Sequence, residues 1–468
     1  MGSTFFGLNV ALSGIVTQQR ALNTVSHNIT NAGTPGFTRQ RVDLAAATAH
    51  PMPGINTAVG PGQIGTGVVA TQHSRVRDQF ADVTVRTQSA LVGEWNARAA
   101  GLRTLDTVID EPGDTGITAL LSRYWSAWQG LTTQPDSTAS REAVRAAGVT
   151  LAEGMNDLHD RLVATRGEAD TRIGLETARV NELASQINEV SQKIAVIVAT
   201  GQEPNDLRDV RDVLVDELSG FASISISSTG LDKISIAIGS QLLLDGTSDT
   251  VNALAVDGLG NATVGGMGVT LTSGSIRGQI ELRDTIIGGP AGYIAQLDTL
   301  AGSVVSSVNT LHSAGFGLDG STGNAFFSGA TADTIAVAAP VLASVDAIAA
   351  SSSAVGLPFD GDNSVSIAQL QFLVQSIGAS TTTIDGFYQQ FVAKLGVDAD
   401  QAYRMAEVQN GVLDGAISRR DSVSGVNLDE EAADMVRFTK SYNAAARMVT
   451  AVDEMLETII SRMGIVGR

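Results

Sequence analysis

His27, His50, His73, His159 and His312 are the histidines of this chain, and no two of them stand four residues apart. The spacing that puts paired imidazoles on one helix face is therefore missing, and no acid stands near any of them at a zinc-motif interval. His27 lies beside an N-terminal apolar seam and reads as a helix-surface residue. GPGQIG (60–65) places Gly60, Gly62 and Gly65 at the G-x-G-x-x-G interval that cradles a pyrophosphate. It carries Pro61 and follows no strand pattern, so it reads as a loop. Ser248 in GTSDT (246–250) lacks the flanking glycines of a nucleophile elbow, and G-x-S-x-G occurs nowhere. DGDN (360–363) has two acids without a twelve-residue calcium loop. NDLRDVRDVLVDELSG (205–220) carries acids that could hold a cation. They fall at helical spacing around Leu207, Val210, Leu214 and Leu218, which reads as a solvated helix face. No catalytic, cofactor-binding or metal-ligating set is expected, and the chain reads as a non-enzyme.

Composition narrows the classes further. The 468 residues allow about three domains and an ample core. Thirty Lys and Arg oppose 49 Asp and Glu, a net charge of −19. Without clustered basic residues to neutralise phosphates, nucleic-acid binding is not expected. Cysteine is absent, which excludes disulfides and thiol chemistry. That fits a reduced compartment, and equally a chain that crosses a membrane unfolded. The most apolar run, 335–350, is broken by Pro340 and Asp346, so membrane insertion is not expected. MGSTFFGLNVALSGIV shows no basic n-region and no cleavage site, and Phe6 stands where a myristoylation motif wants Ser or Thr. Any export would leave the N-terminus intact.

The elements are where the sequence becomes specific. Phe5, Leu8, Leu12, Ile15, Leu22, Val25 and Ile29 follow a 3–4 spacing, with Gln19 in the vacant position, and predict a helix of about 25 residues. It stops at NAGTPGFTRQ (31–40). Asn31 and Gly33 suit a C-cap. Pro35 and Gly36 suit the centre of a type II turn, with φ > 0 at Gly36. Phe37 and an extended run follow. At the other end Leu428, Ala432, Met435, Phe438, Tyr442, Ala445, Val449, Val452, Leu456, Ile459 and Met463 form a second narrow seam. Asn427 with Glu430 makes a capping box at its start. Narrow seams want partner helices, so the two ends are expected to pair with each other.

Between the ends the fold class expected is mainly α with an inserted β domain. LSRYWSAWQGL (121–131) gathers Tyr124, Trp125 and Trp128, and residues 140–200 read as helix. FASISISSTGLDKISIAIGSQLLLDGTSDT alternates Ile with Ser in period 2, and strands are expected to about 278. The expected organisation is a terminal coiled-coil domain (1–50 and 425–468), a helical bundle (51–221 and 279–424) and a β domain (222–278). Residues 314–360, rich in Gly, Ser and Ala, are left open between small strands and loops.

ALNTVSHNITNAGTPGFTRQRV (21–42) resembles the signature of bacterial flagellar rod, hook and hook-associated proteins, a helix ending in an Asn-rich segment before Thr-Pro-Gly-aromatic. Phe37 stands where Tyr is commoner. SVSGVNLDEEAADMVRFTKSYNAAARMVTAVDEMLETII (422–460) is similar to the hook-associated branch, as are GTGV (65–68), RVRDQF (75–80), NDLRDVRDVLVDEL (205–218) and GFGLDGSTGNAFF (315–327). The resemblance implies an extracellular structural subunit of the flagellum at the hook–filament junction. Its implied partners are further copies in a helical layer, the hook protein below and a second junction protein above. It also implies a dedicated export chaperone on the C-terminal seam and the flagellar type III export apparatus. Terminal helices of this kind are implied to stay disordered until incorporation, and no cofactor is implied. The alternatives are a hook or distal-rod subunit, a secreted adhesin, and an enzyme borne on a flagellar scaffold.

Overall fold

A computed structural model describes residues 5–50, 63–109, 111, 113 and 116–462. Gly60, Pro61 and Gly62 of the glycine-rich stretch and Met463 of the C-terminal seam lie outside the described residues. The chain opens with α1 (Phe6–Thr30) and an antiparallel hairpin, β1 (Gln40–Ala46) with β2 (Val68–Arg75). Four helices follow: α2 (Gln79–Ile109), α3 (Ile117–Thr133), α4 (Thr138–Val198) and α5 (Asn205–Phe221). Strands β3 (Ser225–Ser228), β4 (Ile234–Ile238), β5 (Gln241–Asp245) and β6 (Thr250–Val251) form one antiparallel sheet in sequence order. Strands β7 (Leu254–Val256), β8 (Ala262–Val264) and β9 (Met267–Val269) form a second. Then come α6 (Ser275–Glu281), a π-helical turn over Leu282–Ile287, and α7 (Tyr293–His312). Short pieces follow: β10 (Phe327–Ser328), β11 (Ala336–Val337), α8 (Ala339–Ala343), α9 (Asp362–Ala368), β12 (Gln375–Ile377) and β13 (Ser380–Thr382). The chain closes with α10 (Ile384–Ser424) and α11 (Leu428–Arg462).

Helix α4 is the spine. Its 61 residues rise about 90 Å at 1.5 Å each, and the hydroxyl of Ser137 caps it by accepting from the Ser140 amide at 3.3 Å. Val144, Leu151, Met155 and Leu162 are fully buried in one core, and Val180, Leu183, Ile187 and Ile194 are fully buried further along. The first core is aromatic at its centre. Tyr124 meets Trp125 edge-on at 5.0 Å, and Phe326 meets Phe327 at 4.8 Å. The indole of Trp125 donates to Asp385 at 3.2 Å, which ties α3 to the start of α10. The second core lies between α4, α5 and the sheets, where Ile236, Ile238, Leu243 and Leu244 pack with Leu183, Ile187, Val215 and Leu218.

Helices α2 and α10 run antiparallel. Asn96 bonds Asn410 at 3.2 Å, and seven residues on the Arg103 guanidinium lies 5.2 Å from the Tyr403 ring centroid, seven residues back.

Two readings of the sequence need amendment, and the stretch left open can be filled in. Strands end at Val269 rather than near 278, because Gly274 opens α6. The hairpin β1–β2 runs across the position where the coiled-coil and helical-bundle readings meet, and only its first strand was foreshadowed by the extended run after Phe37. Residues 314–360 are an irregular but well-packed cap on the aromatic core. Fully buried Arg141 of α4 holds it, donating to the carbonyls of Pro135, Val345 and Ile348 at 2.7, 3.3 and 2.7 Å.

Candidate functional site: the terminal helix pair and its charged junction

Helices α1 and α11 meet through small residues. A Cβ on Gly14 would lie 3.4 Å from Cβ of Ala445, and one on Gly7 would lie 3.7 Å from Val452. Asn28 donates to Glu431 at 3.0 Å. Each step of seven or fourteen residues along α1 is thus matched by an equal step back along α11, an antiparallel heptad register. Ala21, one heptad beyond Gly14, is buried.

This corrects the phase expected of the N-terminal seam. Val25 is buried and Leu8, Ile15, Leu22 and Ile29 are half-buried, but Phe5 and Leu12 are 52% and 53% exposed. On α11, Phe438, Tyr442, Val449 and Leu456 are half-buried and Val452 is buried, whereas Leu428, Met435 and Ile459 are exposed. The reason is distance: backbones this close have no room for Leu between them, so the pairing face takes Gly and Ala. The larger apolar side chains stand on the flanks. Asn427 caps α11, its Oδ1 accepting from the Asp429 amide at 3.0 Å and the Glu430 amide at 3.4 Å. The reciprocal half of the expected box does not form, because Glu430 turns instead to Arg39 at 2.6 Å.

The turn after α1 is docked on the body. The Phe37 amide donates to the Thr34 carbonyl at 3.1 Å across Pro35 and Gly36, and Gly36 has φ +78°. A Cβ there would fall inside the Val213 side chain on α5. The Phe37 ring stands edge-on to His27 at 5.2 Å, and the Thr38 amide donates to Asp209 of α5 at 3.0 Å. Asn31 ends the helix by a different route from the one expected. Its φ is −101°, Gly33 has no positive φ, and the Asn31 side-chain amide donates to the His27 carbonyl at 3.0 Å.

Two residues that the seam pattern did not single out join the parts. Buried Asn28 donates to the Gln40 carbonyl at 2.8 Å and accepts from the Gln40 amide at 3.0 Å while reaching Glu431. One side chain therefore links α1, β1 and α11. Arg39 donates to Glu430 at 2.6 Å and to the buried Glu431 at 2.7 Å.

Behind them lies a lattice of arginines and aspartates. Arg75 of β2 donates to Asp209 and Asp212, both at 2.8 Å. Arg77 reaches Asp212 at 2.5 Å and Asp82 at 2.6 Å. Arg86 of α2 and Arg420 of α10 converge on Asp216 at 2.7 and 2.6 Å. Burial pushes the Asp212 carboxyl up, but the guanidinium groups of Arg77 and Arg75 outweigh it and hold the group below its ordinary range. The acidic stretch 205–220 is thus not a solvated face. Asp209 and Arg211 are buried and Asp212 nearly so, while Val210 and Val213 are 49% and 42% exposed. Its basic partners on β2, α2 and α10 stand far away in sequence, so the spacing within α5 could not show them.

The remaining candidates hold structure. Ser248 donates to Asp245 and Thr250 within a turn. His50 bridges to Ile64, His73 meets Thr24 at 3.3 Å beside the lattice, and His312 is buried in the aromatic core. The arrangement ties the terminal helix pair to the body through the turn, Asn28 and Arg39.

Comparison with known proteins places the same segments. Residues 102–327 match the flagellar hook-associated protein FlgK helical domain. Residues 8–38, α1 with its turn, match the flagella basal body rod protein family, and 418–462, the end of α10 with α11, match the flagellar basal body rod FlgEFG protein C-terminal family. Flagellar hook-associated protein 1 of Bacillus subtilis is 32% identical over 509 aligned residues, covering 100% of both chains. That of Escherichia coli is 22% identical over 97% of this chain and 99% of its own. The flagellar hook junction protein FlgK from Burkholderia pseudomallei shares the fold, with a TM-score of 0.64 and 15% identity over 73% of this chain and 100% of the other. A chain so similar over its whole length, with the helical domain in the middle and the axial segments at both ends, belongs to the flagellar hook-associated protein 1 family.

Proposed function

We propose that this chain is a structural adaptor at the flagellar hook–filament junction, exported through the flagellar type III apparatus and assembled outside the cell as a helical layer on the hook. The observation that carries it is the α1–α11 pair, tied to the body by Asn28, Arg39 and the arginine–aspartate lattice, with large apolar side chains left on its flanks. Phe5 and Leu12 of α1 and Leu428, Met435 and Ile459 of α11 are exposed in the single chain. Exposed apolar stripes of this kind need neighbours. Copies related by rotation and rise supply them, giving contacts that continue from subunit to subunit, with the hook protein below and the second junction protein above. Until then the stripe on α11 is covered by a dedicated export chaperone. The work is mechanical and no catalytic step is assigned.

Electron microscopy of a deletion strain tests the assignment. Cells should carry hooks without filaments. Filaments of normal length would contradict it, and loss of the hook itself would favour the alternative of a hook or distal-rod subunit. For the chaperone, full-length protein should retain it in a pull-down while a chain ending at Ser424 should not; equal retention would count against that role for α11.

A further inference from the structure

We propose that His159 of α4, Asp298 of α7 and Asp333 of the β10–β11 turn form a binding site for a divalent transition metal ion. One ligand atom from each side chain lies within 4.8 Å of the other two. A zinc ion bonded at about 2.0–2.2 Å holds tetrahedral ligands roughly 3.4 Å apart. Closing the set therefore takes a movement of about 1.5 Å; Asp333 is exposed, and its carboxylate, which accepts from the Thr331 hydroxyl at 2.5 Å, can turn to supply most of it.

The rest of the site is already in place through other bonds. The Ala332 amide donates to Asp298 Oδ1 at 2.8 Å, which orients that carboxylate and leaves its second oxygen for an ion. Asn156 donates to the Ala332 and Ile335 carbonyls at 2.5 and 3.3 Å, pinning the turn to α4. His159 follows Asn156 by three residues and shares its helix face. Partners of this kind, outside the ligands themselves, are what hold metal ligands in register. His159 also carries an unexplained atom: its Nδ1 is buried with no hydrogen-bond partner, and its nearest acid, Asp160, stands at 3.6 Å.

The donor set decides the class of ion. One neutral imidazole and two carboxylates balance a dipositive charge. Nitrogen in the set favours zinc and the later first-row metals over manganese, magnesium and calcium, which prefer oxygen ligands. Three protein ligands leave outer positions to water, so the ion acts as a clip across α4, α7 and the turn. The three residues are far apart in sequence and match no motif, which is why reading the histidines for local spacing finds nothing.

The test is thermal melting and calorimetric titration of untagged, metal-stripped, full-length protein with zinc chloride. One zinc should bind per chain and raise Tm by about 2–4 °C near saturation. Magnesium at the same concentration should leave Tm unchanged. His159→Ala should abolish the shift, Asp333→Asn should weaken binding at least tenfold, and Asp106→Asn, on an exposed face of α2, should keep both. Should His159→Ala fail to fold, the exposed Asp333 variant decides. No zinc-dependent shift in the wild type, or a shift kept by both ligand variants, overturns the proposal.

Discussion

Single side chains in this molecule carry consequences that can be measured one at a time. His312 is fully buried, with Nδ1 donating to the Asn324 carbonyl at 2.7 Å and Nε2 accepting from the Ala349 amide at 3.0 Å. Both nitrogens are satisfied in the neutral ring only, and burial pulls its pKa down to about 4 against the Asn324 bond. The unfolded chain takes up the proton near 6.5 while the folded chain refuses it, so stability falls as pH drops between those values. We expect the body to lose about 2 kcal/mol between pH 7 and pH 5, read as a falling urea midpoint. A His312→Gln variant, weaker at pH 7, should show a flat profile over that range; an equally steep one would remove His312 as the cause. Asp212 has the opposite sign. Its folded value is depressed, so its contribution is present above the unfolded carboxyl value of about 3.9 and is lost as pH falls below it. Asp212→Asn leaves Arg75 and Arg77 short of a buried anion and should cost about 3 kcal/mol in chemical denaturation. A cost under about 0.5 kcal/mol would make the lattice ornamental. Gly36→Val meets both a positive φ and the Val213 side chain, with a backbone cost of about 1–3 kcal/mol. Motility should fall while the body melts as before, and Val213→Ala should restore part of the loss, since it removes the clash and leaves the φ strain. Normal motility of Gly36→Val would show that the turn does not set the junction.

At the scale of elements, what the sequence revealed depended on how local the cause was. The helices at both ends announce themselves because a 3–4 apolar pattern needs only the chain's own neighbours to be read. The type II turn is equally local, written in Pro35 and Gly36. On α1 the phase of the pairing face escapes the pattern because large apolar residues dominate it, while the contact is made by Gly7 and Gly14, which count for little; on α11 the expected seam residues Ala445 and Val452 do face them. The hairpin β1–β2 was only half visible, since its second strand pairs across a long connection. Ile–Ser alternation located the β region but not its end, because β7 to β9 have only three residues each and offer too few positions for a period to show. Least legible was the lattice: Asp209, Asp212 and Asp216 look solvated on a helical wheel until Arg75, Arg77, Arg86 and Arg420 arrive from other elements.

The whole molecule is a helical body with a two-helix handle. Both hydrophobic cores lie between Ala99 and Ala406, and α4 runs through each of them. The handle, α1 with α11, stands outside those cores and is tied to the body through the turn, the hairpin, the charged junction and the His27–Asp206 contact at 3.3 Å. That division suits a subunit whose body must survive alone while its handle waits for neighbours. Because the chain has no cysteine, a designed pair can report the register of the handle without interference. Gly14→Cys with Ala445→Cys places two Cβ atoms about 3.4 Å apart, at the short end of disulfide geometry. Oxidation of purified hook–filament junctions carrying this pair should give a cross-link within one chain, seen as a faster-migrating monomer without reductant. Leu12→Cys with Ala445→Cys, which puts one thiol on the exposed flank, should give none within the chain. A cross-link only between chains, or equal cross-linking of both pairs, would contradict the antiparallel register of α1 and α11.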